Sequence, residues 1–116
     1  MTLVPGVYQA TSSLQIASDN LYLDGGGDPN ATWIFQIGST LTTADSVSIV
    51  MTDACSSPDN VFWQVGTSAT LGTGTIFLGT IAADQSITVN TGAEVTGRLF
   101  AHVGAVTLDT NLVTVP

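Results

Sequence analysis

The chain repeats one stretch at intervals: Val7-Tyr8-Gln9-Ala10-Thr11-Ser12-Ser13-Leu14, Ile34-Phe35-Gln36-Ile37-Gly38-Ser39-Thr40-Leu41 and Phe62-Trp63-Gln64-Val65-Gly66-Thr67-Ser68-Ala69. The offsets are 34 − 7 = 27 and 62 − 34 = 28 residues. Shorter copies follow at Ser86-Ile87-Thr88-Val89 and Ala105-Val106-Thr107-Leu108, at offsets of 86 − 68 = 18 and 105 − 86 = 19. Each copy alternates apolar and polar residues, which is typical of a β-strand. Self-similarity at a nearly constant period predicts the stacked coils of a solenoid.

The longer periods exceed the shorter ones by 28 − 18 = 10 residues, and turn-forming residues account for the excess. These insertions are Asp24-Gly25-Gly26-Gly27-Asp28-Pro29-Asn30 and Asp53-Ala54-Cys55-Ser56-Ser57-Pro58-Asp59-Asn60. The sequence therefore predicts an all-β fold, a β-solenoid of about five coils over residues 1–116, with loops inserted at one corner.

Stacking the coils predicts columns of apolar side chains that point inward. One column holds Leu14, Leu41, Ala69, Ile87 and Val106, a second holds Ile16, Thr43, Leu71, Val89 and Leu108, and a third holds Tyr8, Phe35, Trp63, Ile81 and Phe100. Because side chains alternate across a strand, the residues between the columns should point outward.

Two outward faces have different chemistry. One is a grid of small hydroxyl-bearing side chains, of which the most regular are Thr40, Thr42, Ser68, Thr70, Ser86, Thr88 and Thr107. The other is more apolar, with Val7, Ile34, Phe62, Thr80 and Leu99 in one column and Gln9, Gln36, Gln64, Ala82 and Ala101 beside them. An exposed apolar face of this size is unusual. We therefore expect a second copy or a partner chain to cover the face that bears Ile34, Phe62, Leu99 and Ala101.

Composition excludes several classes of partner. The formal net charge is −8, with one Lys or Arg residue against nine Asp and Glu residues. Such a surface cannot neutralise the phosphates of nucleic acids or bind an anionic membrane. No apolar run reaches the roughly 20 residues of a membrane span, so membrane insertion is not expected either.

Candidate chemical sites are few. His102 is the only histidine, which rules out a histidine triad or a histidine-based metal cluster, and it is expected near a corner in the column of Ile37 and Val65. Asp24 and Asp28 flank glycines without the spacing of a calcium loop. No general base accompanies the many Ser and Thr residues. We therefore predict neither an enzyme, a metal site nor a cofactor. Cys55 is the only cysteine, so it is either a free loop thiol or an intermolecular link.

Four motifs in a fixed order resemble the DUF3494 type of ice-binding proteins. They are Leu23-Asp24-Gly25-Gly26-Gly27-Asp28-Pro29-Asn30-Ala31, Trp33 to Ala44, Asn60 to Gly66, and Gly104-Ala105-Val106-Thr107-Leu108-Asp109. The resemblance runs from about Pro5 to the C-terminus. It implies a right-handed β-solenoid of triangular section, secreted by cold-adapted organisms, which binds ice and is not catalytic. The family's N-terminal part, with further coils and one long helix, has no counterpart in this sequence.

The resemblance also implies a second set of ice-binding candidates, because active family members carry a Thr-Ala/Gly-x-Thr/Asn pattern. Here the pattern reads Thr43-Ala44-Asp45-Ser46, Thr73-Gly74-Thr75-Ile76 and Thr91-Gly92-Ala93-Glu94, with its last position changed. The additional candidates are Thr73, Thr75, Thr91 and Ala93, which we expect on a face adjacent to the grid.

Taken with the hydroxyl grid, these observations predict adsorption to ice through a flat Thr/Ser face. Two alternatives come from the low charge, Cys55 and the apolar face: an extracellular structural module that self-associates into oligomers or filaments, or an adhesion module. We expect the protein to be secreted.

Overall fold

The computed structural model describes residues 2–16, 20–28, 30–52 and 60–114. Every strand pairing among them is parallel, and these residues contain no α-helix. The strands are β1 (Thr2–Leu3), β2 (Gly6–Ala10), β3 (Leu14–Ile16), β4 (Leu21–Leu23), β5 (Trp33–Ile37), β6 (Leu41–Thr43), β7 (Ile49–Met51), β8 (Val61–Val65), β9 (Ala69–Leu71), β10 (Ile76–Ala83), β11 (Ile87–Val89), β12 (Glu94–Ala101), β13 (Val106–Leu108) and β14 (Leu112–Thr114).

The strands form three faces of a β-solenoid with five coils. Face A is the sheet β1-β4-β7, which a bridge between Ser48 and Ile76 joins to the first residues of β10 and β12 and to β14. Face B consists of β2, β5, β8 and the second halves of β10 and β12. Face C is the sheet β13-β11-β9-β6-β3. The all-β solenoid that the repeats predict is confirmed.

Both long insertions lie at the corner between faces A and B. One connects β4 to β5 through residues 24–32, and the other connects β7 to β8 through residues 52–60. In the fourth and fifth coils the same corner has no loop, because β10 and β12 each continue from face A into face B. The prediction for Cys55 falls in residues 53–59, which lie outside the described residues.

Aromatic rings and aliphatic side chains fill the interior. The rings of Tyr8, Phe35 and Trp63 stack across three coils, with centroids 5.4 Å and 3.9 Å apart. The column of Leu14, Leu41, Ala69, Ile87 and Val106 is in register, as predicted. Its three central members are buried, whereas Leu14 is half-buried and Val106 is 37% exposed. The end members are more open because a neighbouring coil covers them on one side only.

One expected column was wrong by a residue in the fifth coil. Leu99, not Phe100, pairs with Ile81 and points inward, while Phe100 pairs with Ala82 and is 56% exposed. The sequence comparison used the offset of the following strands, Ile87 to Val106, for the whole coil. The physical reason is an extra residue at the corner between faces B and C, where residues 102–105 replace the three residues 84–86 of the previous coil.

The next corner compensates for this extra residue. Three residues, 109–111, connect β13 to β14, where four residues connect β11 to β12. The side-chain amide of Asn111 donates hydrogen bonds to the backbone oxygens of Asn90 and Ala93, at 2.7 Å and 2.9 Å. These bonds satisfy backbone acceptors at the shorter turn, since a buried unpaired carbonyl would be costly.

Candidate functional site

The centre of face C is a straight column of threonines. Thr42 pairs with Thr70, Thr70 with Thr88, and Thr88 with Thr107, one residue from each successive coil. Strands in a sheet are about 4.8 Å apart, so the side chains repeat at about that distance. Each threonine is branched at Cβ, which restricts χ1 and holds its methyl and hydroxyl groups in place. Gln15 of the first coil continues the column with a longer, exposed side chain.

A second column flanks the first at the start of each strand. It contains Thr40, Ser68 and Ser86, all half-buried, with Ser13 and Ala105 at the ends. The hydroxyl oxygens of Thr40 and Thr67 are 3.1 Å apart, and the Ser68 hydroxyl accepts a bond from the Ser86 amide at 3.4 Å. These contacts reduce the rotational freedom of the hydroxyls. The structure therefore places all seven grid residues on one face: Thr40, Thr42, Ser68, Thr70, Ser86, Thr88 and Thr107.

Neither column contains a charged side chain. The nearest carboxylates belong to the corner between faces C and A, where Asp45 accepts a hydrogen bond from the Thr73 amide at 2.9 Å. The Thr91 hydroxyl donates to Asp109 at 2.6 Å at the same corner. Charged groups hold tightly bound hydration shells. The neutral columns therefore differ from this corner in how they order water.

The candidates from the family pattern divide into two groups. Thr73 and Thr91 are exposed at the corner between faces C and A. Asp45 occupies the equivalent place in the coil before, because the amides of Ser46 and Gly74 bond to the oxygens of Thr73 and Thr91 respectively. Thr43, which the pattern aligned with Thr73, instead pairs with Leu71 and is buried. The corner therefore presents two threonines and carboxylates, not a regular threonine plane.

Thr75 and Ala93 were expected on the surface, and this was wrong, because both are fully buried. The Thr75 hydroxyl donates to the Ala44 oxygen at 3.1 Å and lies 3.0 Å from the Thr43 hydroxyl, which in turn accepts from the Gly72 amide. The turns before them contain Gly74 and Gly92 at φ of 71° and 73°, a left-handed conformation that breaks the alternation of the strand. The Thr-Gly pair was the available sign of such a turn.

The structure also locates the other residues that the sequence singled out. His102 lies at the corner between faces B and C, one position beyond the column of Ile37 and Val65 in which it was expected, with Nδ1 3.3 Å from a carboxylate oxygen of Asp84. Both side chains are exposed. In the described part of the chain, no group of three or more His, Cys, Asp or Glu residues could hold a metal ion. No helix within these residues is long and apolar enough to cross a membrane.

The face that was expected to need a cover differs from the expectation at one end. Ile34 and Phe62 point outward on face B, but Leu99 and Ala101 point inward, as Ile81 and Ala83 do in the previous coil. The outward places are taken by Arg98 and Phe100, for the register reason given above. Face B is therefore apolar at Val7, Ile34 and Phe62 and more polar where the fifth coil begins.

Comparison with known proteins yields a consistent set of matches. The family model described as "Ice-binding-like" matches residues 1–114. An ice-binding protein of Nostoc sp. (strain HG1) is 56% identical over 114 residues, which cover 97% of this chain and 41% of that protein. Ice-binding protein 1 of Shewanella frigidimarina (strain NCIMB 400) is 41% identical over 98% of this chain and 13% of its own length.

A solved structure has the same fold. The ice-binding protein from the Antarctic ascomycete Antarctomyces psychrotrophicus superposes with a TM-score of 0.93 at 45% identity, covering 99% of this chain and 55% of that one. The chain thus spans about half or less of the length of these relatives.

Proposed function

Since this chain belongs to the ice-binding-like family, we propose that it adsorbs to ice through the Thr/Ser columns of face C. One observation carries the choice of face: Thr42, Thr70, Thr88 and Thr107 lie in register on neighbouring strands with no charged residue among them. The repeat of about 4.8 Å along the solenoid lies near a repeat of the ice lattice.

The physical basis is the rigidity of the surface. Threonine side chains held by neighbouring strands lose little conformational entropy when they meet a solid surface. Their methyl groups exclude water while their hydroxyl groups hydrogen-bond to it. A binder of this kind needs many weak, aligned contacts, and the parallel coils supply them without any moving part.

The test uses one bulky substitution on each candidate surface. Thr70→Tyr places a ring in the middle of the grid, and Thr73→Tyr places one at the corner between faces C and A. Thr75 is unsuitable for this comparison because it is buried. We expect Thr70→Tyr to abolish ice shaping and freezing-point depression, since the ring lifts the plane from the ice. Thr73→Tyr should retain most of both activities.

Circular dichroism and thermal unfolding are the controls, because exposed substitutions normally change stability by no more than about 0.5 kcal/mol. Loss of activity in Thr73→Tyr alone would transfer the site to the corner. If the parent protein leaves ice crystals unshaped at high concentration, ice binding is wrong for this chain.

We further propose that the protein acts without catalysis and outside the cell. The first proposal is supported by the family and by the lack of a general base beside the hydroxyls of face C in the described residues. The second is supported only by the sequence resemblance and is tested by fractionating a culture of the source organism.

Self-association or a partner chain on face B is the second candidate. It is favoured by the exposure of Val7 and Phe62, at 62% and 42%. The proposed contact contains Val7, Ile34 and Phe62 and excludes Leu99 and Ala101, which are directed inward. Light scattering of the parent and of Phe62→Gln tests it: the parent should have the mass of a dimer or larger, and the variant should dissociate. A parent that is monomeric in isolation and in extracts would contradict the proposal.

A further inference from the structure

A second polar surface lies on the side of face B that borders face C. It is a shallow, open groove of about 600 Å³, lined on one side by Gln9, Gln36 and Gln64 and at one end by Asp84 and His102. Gly38 and Gly66 keep its floor low, because a Cβ at either position would lie 2.5 Å or 2.3 Å from a backbone oxygen of the preceding coil. Side chains are thus excluded from the floor of the groove by the packing of the coils.

The wall of the groove is a ladder of amides. Gln9, Gln36 and Gln64 occupy paired positions on β2, β5 and β8. Gln9 donates from Nε2 to Oε1 of Gln36 at 3.0 Å, and the Gln64 amide makes no side-chain bond to the described part of the chain. A glutamine amide can donate two hydrogen bonds and accept two. The ladder therefore offers unused donors and acceptors at a regular spacing of about 4.8 Å.

A notch interrupts the same column beyond Gln64. The next residue in register is Ala82, and the one after it is Phe100, whose ring is 56% exposed. Asp84 follows Ala82 by two residues and lies at the corner beside His102. The small alanine leaves a space between an amide on one side and an aromatic ring on the other, with a carboxylate at its edge.

We propose that this groove binds a neutral saccharide chain along the solenoid axis. Sugar rings have hydroxyls around their edges and C–H groups on their faces, so one molecule needs both amide partners and an aromatic surface. Gln36, Gln64 and Asp84 bind the hydroxyls, and Phe100 stacks on a ring face above Ala82. The ligand is neutral because the protein has a net charge of −8 and a carboxylate in the groove. The proposal is independent of ice binding, since face C plays no part in it.

Cellohexaose and maltohexaose are the neutral probes, and hexagalacturonate is the anionic one. Binding is followed by titration in NMR spectra of the glutamine side-chain amides, which report the groove directly. We expect at least one neutral hexasaccharide to shift the amide signals of Gln36 and Gln64, and hexagalacturonate to bind at least about tenfold more weakly. Gln64→Leu should weaken binding about tenfold through its lost hydrogen bonds, and Phe100→Ala by a similar factor.

Thr70→Tyr is the matched control, because it alters the opposite surface and should change saccharide affinity less than twofold. The proposal is overturned if neither neutral probe shifts the groove amides at the limit of solubility. It is also overturned if Gln64→Leu and Phe100→Ala bind as tightly as the parent, or if hexagalacturonate binds as well as the neutral probes. Ice shaping by Gln64→Leu should equal that of the parent, which separates this site from the ice-binding face.

Discussion

The buried pair Thr43 and Thr75 shows how one residue type has two different roles in this chain. Thr70 is half-exposed in the middle of face C, whereas Thr75 is buried and hydrogen-bonded to Thr43 and Ala44. A buried hydroxyl is stable only when its donor and acceptor are satisfied. Thr43 and Thr75 satisfy each other and bind the turn at Gly72, so they hold the corner between faces C and A together.

Replacing Thr75 by valine tests this structural role. The shape is preserved, but the hydroxyl of Thr43 loses its partner and the Ala44 oxygen loses its donor. We expect the free energy of unfolding to fall by about 1–3 kcal/mol, as for other buried groups left unsatisfied. Urea denaturation measures the change, and ice shaping by the folded variant should equal that of the parent.

Thr70→Val is the control for that prediction. It makes the same chemical change on the surface, so the free energy of unfolding should change by no more than about 0.5 kcal/mol. Equal destabilisation of the two variants would show that the hydrogen bonds of Thr75 contribute nothing in particular to stability.

At the scale of elements, the corners decide which residues each strand presents. β10 passes from face A to face B without a loop, and Gly79 lies at the change of direction. Its φ is 109°, and a Cβ there would lie 2.8 Å from the Val61 oxygen and 2.9 Å from the Trp63 indole nitrogen. That nitrogen already donates to the Leu78 oxygen at 3.0 Å. The corner therefore depends on a residue without a side chain.

Gly79→Ala should therefore be strongly destabilising. Backbone strain at a positive φ and the clash with Val61 and Trp63 together should lower the free energy of unfolding by about 3 kcal/mol or more. Thermal and urea unfolding would detect the change, and the fluorescence of Trp63 would report local disorder at the corner.

Gly92→Ala provides the matched comparison. Gly92 has a φ of 73°, but no atom lies within 4 Å of the position of its Cβ. We expect a loss of only about 1 kcal/mol, from the backbone conformation alone. If both variants lose the same stability, the close approach at Gly79 is not what requires glycine there.

At the scale of the whole molecule, the ice-facing surface exists only because five coils stack in register. Gln15 is the one member of the central column that is neither threonine nor small. Immobilising a glutamine side chain costs up to about 1.5–2 kcal/mol of conformational entropy, and threonine loses less because its χ1 is already restricted.

Gln15→Thr should strengthen ice binding by extending the threonine column to five coils. We expect greater freezing-point depression and stronger inhibition of ice recrystallisation at equal protein concentration. The matched control is Gln9→Thr, which makes the same change in the same coil but on face B, and it should leave both activities unchanged. A gain in both variants would point to stability rather than to the ice-binding surface; no gain in Gln15→Thr would contradict the proposed site.

The sequence alone determined the solenoid and most of its columns. Its repeats at 27, 28, 18 and 19 residues set the coil length, and period-2 alternation divided residues such as Leu41 and Thr42 between core and surface. This works because every coil solves the same packing problem with the same pattern, so a local rule holds throughout the sheet. The family also followed from sequence, since its motifs cover nearly the whole chain.

Only the tertiary structure decided what happens at the corners. A one-residue insertion after β12 moved Leu99 inward and Phe100 outward, and turns with left-handed glycines buried Thr75 and Ala93. Alternation cannot predict these outcomes, because a turn resets the direction in which the next side chain points. The sequence defines which residues alternate within each strand, whereas the hydrogen bonds between coils define where each strand begins.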